Sequence, residues 1–399
     1  MSNKERVFSG IQPTGDIHIG NYLGAVKKWV EISKTHDAIF CIVDDHAITI
    51  DYNPEELRRR SFEAALTTMA CGLDPEECTL FIQSHVPEHT ELTWLFNSLT
   101  PLGSLFRMHQ FKDKSRAALK KALDKKGGGS KSSMLYQLKN VGIEALALAE
   151  KLSADIEKLD PEGDSDGALP GRINEGLGEL MQHLLVGLGV SEAYTGLFDY
   201  PVLQAADILL YKAALVPVGE DQEQHLELCR EVAERFNRKY GEVFPLCKRL
   251  PGEATRIMGL DGKQKMSKSI GNHIGVLDTP EEIQKKLSGA FTDPNRIRKS
   301  DPGNPKICNV FSLHGFFTDE AKREELAAQC RAGEIGCFQC KKILAENTDA
   351  ALAPIRERAE HLRNHPEIVQ EALDRGARRC RELAAETMTE VRRVMGLGR

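Results

Sequence analysis

Two short polar segments carry residue types suited to handling phosphate. Thr14-Gly15-Asp16-Ile17-His18-Ile19-Gly20-Asn21 follows a strand-like run and opens a helix-like one. Unpaired backbone N–H groups at such a junction, with the positive end of the helix dipole, favour an anion. His18 adds a donor that can reach a triphosphate, and Gly20 removes a side chain so that an adenine ring can lie close to backbone. Far down the chain, Gly262-Lys263-Gln264-Lys265-Met266-Ser267-Lys268-Ser269 sets lysines and serines on a glycine-flanked loop. Charges on such a loop can follow migrating phosphates. Taken singly, each segment also fits a plain role, a capped turn in one case and a solvated basic loop in the other.

A third constellation is Cys308, Cys330, Cys337 and Cys340, with the spacing C-x21-C-x6-C-x2-C. Four thiolates can hold zinc tetrahedrally or a [4Fe–4S] cluster, and the spacing alone favours zinc, the commoner structural ion, although zinc sites usually show two close pairs and this has one. Six further cysteines (Cys41, Cys71, Cys78, Cys229, Cys247, Cys380) stand in apolar or helical contexts and read as core. The polar start, Met1 to Arg6, does not resemble a signal peptide, and no apolar run approaches the roughly 18 residues that span a bilayer. A cytoplasmic protein with no membrane partner is expected, and a reducing cytosol makes disulfides a poor reading of the cysteines. His85, His89, His183, His314 and His361 show no partner in the sequence and read as surface or capping residues.

The elements that would position these groups alternate strand and helix. Arg6–Gly10, Ala38–Val43, Leu80–Gln83 and Leu215–Val218 read as strands, the second a continuous apolar run typical of a buried parallel strand. Helices are expected over Gly20–Ser33, after Asn53-Pro54-Glu55-Glu56, over Leu203–Ala213 and over Gln222–Phe236, where Leu226, Cys229, Val232 and Ala233 share a face. From Thr279 the pattern is helical to the end. The whole reads as α/β, a Rossmann-like doubly wound parallel sheet with a helical insertion and an all-helical C-terminal domain. The expected divisions are 1–111, 112–196, 197–278 and 279–399. Lys112 to Ser132 opens the insertion with eight basic residues against two acidic ones. A net charge of −6 does not advertise a nucleic-acid binder, but local basic patches rather than the total decide phosphate contact.

His18-Ile-Gly-Asn21 near the start and Lys265-Met-Ser-Lys-Ser269 after the α/β core, in this order, resemble the two signatures of class I aminoacyl-tRNA synthetases. The segments between them resemble the tryptophanyl branch: Phe8 to Gly15, Val43 to Thr49, Phe111 to Ser115, Tyr200 to Leu210 and Val216 to His225. The resemblance implies tryptophan–tRNA ligase activity with ATP, Mg²⁺ carried mostly on phosphate oxygens, tRNA(Trp) and L-tryptophan as partners, and a homodimer. It implies Lys114, Lys265 and Lys268 as catalytic residues. It places ATP at Gln12, Pro13, Thr14, His18, Gly20, Asn21, Gly219, Asp221, Gln222, Met258 and the Lys265, Met266, Ser267, Lys268, Ser269 loop. It places tryptophan at Phe8, Gly10, His46, Tyr200, Gln204, Asp207, Val216, Val218 and Gln222. Indole N–H is a donor without acceptor character, so a buried carboxylate such as Asp207 is its natural partner.

Gln204 departs from the methionine many members carry, and tyrosine enzymes also tend to use glutamine there, whereas Ala205-Ala206-Asp207 favours tryptophan. Asp301-Pro-Gly-Asn-Pro305 before the late cysteine spacing resembles members with a C-terminal [4Fe–4S] cluster, zinc being the alternative. The C-terminal region is expected to read the anticodon, with Arg296 and Arg298 at RNA backbone. The rival readings are a tyrosyl-tRNA synthetase, another nucleotidyltransferase, and a non-catalytic RNA-binding or iron-sensing paralogue.

Overall fold

The computed structural model describes residues 4–13, 15, 17–108, 194–219, 222–250, 257–268, 270–298 and 300–398. Thr14, Lys114, Asp221 and Ser269 lie outside the described residues, as do His183 and nearly all of the expected insertion. The chain divides into two compact units, Met1–Thr100 with Val202–Arg399, and Pro101–Pro201. Of the second unit the described part includes a short helix, Leu102–Phe106.

The first unit is built on a five-stranded sheet: β1 (Arg6–Ile11), β2 (Asp37–Ile42), β3 (Thr79–Ile82), β4 (Leu215–Val216) and β5 (Lys248–Arg249), in the order β3-β2-β1-β4-β5. Every pairing is parallel, with Gly10 beside Cys41, Phe40 beside Leu80 and Val7 beside Leu215. Apolar runs such as Ala-Ile-Phe-Cys-Ile in β2 form central strands because both sheet faces are covered, and all five of those residues are buried. Since β1 joins β2 on one side and β4 on the other, the strand order reverses between β1 and β4, the point beyond whose carboxyl ends such sheets bind ligands. β4 is shorter than the expected Leu215–Val218, and β5 has no signal in the sequence beyond two charged residues.

Asn53 caps helix Pro54–Ala70, its Oδ1 accepting from Glu56 N–H at 3.0 Å. The first helical run is Ile19–Asn21, a π-helical stretch Tyr22–Val26, then Lys27–Thr35. Helix Glu223–Tyr240 buries the expected face of Leu226, Cys229, Val232 and Ala233. Helix Thr195–Leu210 begins and ends earlier than the expected Leu203–Ala213, and Lys212, with φ 50°, turns the chain out of it.

Late in the chain, Pro280–Ser288 carries a Thr279–Glu282 capping box, followed by a non-helical stretch before Asn309–Phe317, Glu320–Ala332, Cys337–Asn364 and Pro366–Met395. The C-terminal helices belong to the same unit as the sheet. Helix Pro366–Met395 packs on β3, and helix Cys337–Asn364 on Pro54–Ala70 and Pro280–Ser288. A Cβ at Gly376 would overlap the Leu80 carbonyl, so the helix crosses β3 in backbone contact. Arg379 clamps the crossing, donating to Thr79 Oγ1 and Asp37 Oδ1, each at 2.5 Å. No helix among the described residues is long and apolar enough to cross a membrane.

Candidate active site

The two phosphate-type segments meet. His18 is the N-cap of its helix, its Nδ1 accepting from Asn21 N–H at 3.2 Å while Asn21 Oδ1 accepts from His18 N–H at 3.4 Å. That bond leaves the ring hydrogen on Nε2, the atom free of capping duty. Burial, with the nearby charges of His273 and Lys265, pushes the His18 pKa down to about 4, so the ring is neutral at working pH. Ile19 N–H donates to Ile274 O and Val276 N–H to Ile17 O, both at 2.9 Å, which laces residues 274–276 antiparallel to 17–19.

The lysine loop rises from that same lacing. Gly259 N–H donates to Gln264 O and Met266 N–H to Ile257 O, forming a hairpin-like turn with Gly262 at φ +65° and Met258 paired to Lys265. Asn272 Oδ1 accepts from Ser267 N–H at 2.8 Å. Met266 is buried, and an added Cβ at Gly20 would meet the His18 ring at 2.9 Å and Met266 Cβ at 3.4 Å. The Lys268 side chain fills the space a Cβ at Gly15 would need, and Gly15 has φ +139°. Glycine at 15 therefore admits the lysine loop to the first segment, and glycine at 20 leaves room for the capping ring of His18.

Asp207 is 1 % exposed on helix Thr195–Leu210. Among the described residues three side chains donate to it: His46 Nε2 to Oδ2 at 2.8 Å, and Gln83 Nε2 and His89 Nδ1 to Oδ1, each at 2.6 Å. Burial raises a carboxyl pKa, but the bonds and charges of His46 and His89 outweigh it and hold Asp207 at about 2. His46 follows β2 and Gln83 follows β3, so the anion sits at the carboxyl end of the sheet. Asp45, beside Asp44 and Asp207, is pushed up to about 6, chiefly by burial and then by those carboxylates. His89, read from sequence as a surface or capping residue, is fully buried, and its Nε2 lies 2.7 Å from Tyr211 Oη. Neither His89 nor Gln83 was among the expected ligands. A histidine six residues beyond an expected strand was the available signal, and only the fold brings it to Asp207.

Phe8 is buried in β1 with its ring stacked on Tyr211 at 5.6 Å. Gln204 is one helical turn before Asp207, and Val216 ends β4, with Val218 O accepting from Arg249. Gly10 faces Val43, whose Cγ1 would stand 2.7 Å from an added Cβ. Gln12 is exposed and Pro13 buried just beyond β1, and Gln222 N–H donates to Gly219 O beyond β4. Tyr200 is on the same helix as Asp207 but within the second unit.

Comparison with known proteins follows this geometry. Residues 2–138 and 187–353 match the family described as tRNA synthetases class I (W and Y). A tryptophan–tRNA ligase of Aquifex aeolicus is 41% identical over 397 residues, covering 98% of this chain and 100% of that protein. One from Deinococcus radiodurans is 40% identical over 396 residues, covering 98% of both. The chain belongs to the tryptophanyl-tRNA synthetase family. A solved tryptophanyl-tRNA synthetase from Campylobacter jejuni, described as complexed with ADP and tryptophan, is 31% identical, with a TM-score of 0.73, covering 98% of this chain and 100% of that one.

Within this family member the late cysteines line one cavity with Asp293, Arg296 and Ile335. Arg296 Nη1 lies 3.7 Å from Cys330 Sγ and 4.0 Å from Cys337 Sγ, and its Nη2 donates to Ile335 O at 2.7 Å. The expectation that Arg296 reaches RNA backbone is corrected: its guanidinium is turned to sulfur, while Arg298 is exposed. His314, also read as surface or cap, is fully buried, with Nδ1 2.8 Å from Thr318 Oγ1 and Nε2 3.3 Å from Cys340 Sγ. Burial raises the thiols of Cys308, Cys330 and Cys340, the last to about 12. Among the described residues no group of three or more His, Cys, Asp or Glu is disposed to hold a metal ion. Four sulfurs on one cavity, with an arginine N–H directed at two of them, still form a donor set that suits a thiolate-bound centre.

Proposed function

We propose that this chain activates tryptophan with ATP, releasing pyrophosphate, and transfers tryptophan to the 2′-OH of the terminal adenosine of tRNA(Trp). The observation that carries the reading is Asp207: a buried, permanently ionised acceptor at the carboxyl end of the sheet, in a chain whose relatives are tryptophan–tRNA ligases. A site built on such a bond rejects analogues without the donor because the acceptor would be left unpaired. His18 offers Nε2–H to a phosphate at the start of its helix, and Gly15 lets Lys268 close against that segment. The tryptophan carboxylate is already a nucleophile and needs no general base. Positioning by the two laced segments, and charge supplied by Lys114, Lys265 and Lys268, do the work. Mg²⁺ enters on the phosphate oxygens of ATP.

Cys308, Cys330, Cys337 and Cys340 are proposed to hold a [4Fe–4S] cluster, with zinc as the alternative, in a structural role beside the anticodon-reading region. A cytoplasmic homodimer is part of the same reading.

Amino-acid-dependent ATP–pyrophosphate exchange tests it. Exchange with tryptophan and not tyrosine is expected, and Asp207→Asn should reduce it about 10- to 100-fold, the range of one charged hydrogen bond. Exchange with tyrosine would overturn the specificity, and no exchange with either would leave a non-catalytic paralogue.

A further inference from the structure

The network around Asp207 does not stop at the histidines. His89 Nδ1 is 2.6 Å from Asp207 Oδ1, so that nitrogen carries the hydrogen. Its other nitrogen, Nε2, is 2.7 Å from Tyr211 Oη. The phenol therefore holds the far side of the imidazole while Nδ1 is directed at the carboxylate. All three residues are fully buried, and Tyr211 is held by Phe8, by the edge of Phe81 and by an Arg6 bond to its carbonyl.

We propose that Tyr211 is a positioning residue for Asp207, acting through His89. The phenol holds Nε2 while Nδ1–H meets the carboxylate, so the imidazole is fixed at both nitrogens. Burial raises the phenol, which keeps it protonated. Without the phenol the ring is free to rotate, and the acceptor loses the fixed direction of one donor. Lys212, next to Tyr211, pairs with Glu390 of helix Pro366–Met395 at 2.5 Å and ties this end of the network to the helix that crosses β3.

This proposal rests on Asp207 reading the indole N–H, and the experiment separates the two. Exchange kinetics would be run with tryptophan and with its benzothiophene analogue, which replaces N–H by sulfur. The wild type is expected to reject the analogue. In Tyr211→Phe the ratio of kcat/KM for the two should fall about tenfold, through KM for tryptophan with kcat little changed, as for loss of one ordinary hydrogen bond. Nitrogen NMR of labelled histidine should show the His89 Nε2 signal shifting in that variant. His89→Gln, which drops the contact with the phenol, should lower the ratio as Tyr211→Phe does, a comparison that stands even if Tyr211→Phe folds poorly. A wild type that accepts the analogue would sink the Asp207 reading and this proposal with it. Rejection kept intact in Tyr211→Phe and His89→Gln, or lost equally for both substrates, would overturn this proposal alone.

Discussion

His18 serves as a helix cap and as the candidate phosphate donor, and both roles need the same neutral tautomer. Its pKa of about 4 in the fold, against an unfolded value of 6.5, makes that state pH-dependent in a definite direction. Between those values the unfolded chain takes up a proton that the folded chain refuses, so acid favours unfolding and the stability is lost as pH falls from 6.5 toward 4. Relative to His18→Gln, the wild type should lose about 2 kcal/mol of unfolding free energy between pH 7 and pH 5, measured by urea titration. Parallel pH curves for the two proteins would exclude this. His18 was legible in the sequence because it stands at a strand-to-helix junction, a local feature. His89 was not, because its two partners are 118 and 122 residues away.

The C-terminal helix meets β3 through a missing side chain rather than a large one. Gly376 lies so close to Leu80 that a methyl group has no room on the strand side. In an exposed helix, Gly→Ala stabilises by up to about 1 kcal/mol through propensity. At this crossing, overpacking should win, and Gly376→Ala is expected to destabilise by about 1–3 kcal/mol. A rise in Tm for that variant would show that the helix can lift off β3 without cost. Element types were largely readable: β1, β2, β3 and the cap at Asn53 follow from apolar runs and capping chemistry. β5 was not readable, since two charged residues become a strand only because β4 offers an open edge.

Across the molecule, the sheet, both phosphate-type segments, the Asp207 network and the C-terminal helices share one compact unit, which makes the C-terminal region a support for the site as well as a candidate RNA reader. The cysteine cavity belongs to that unit too. Protein purified without oxygen is expected to contain iron and sulfide in equal amounts and to absorb in the violet, and Cys340→Ser should lose both metal and several degrees of Tm. Zinc without a chromophore would replace the cluster, and neither metal would remove the centre from the proposal.

The sequence by itself determined what depends on neighbours along the chain: the alternation of strand and helix, the two phosphate-type segments, the late cysteine spacing and the family resemblance. Tertiary structure alone decided that Gly15 makes room for the lysine loop, that Arg296 faces sulfur, and that His46, Gln83 and His89 converge on Asp207. These are contacts between residues far apart in the chain. Local pattern carries no record of them, because parallel strands that lie side by side are joined by long connections and it is packing that closes the distance.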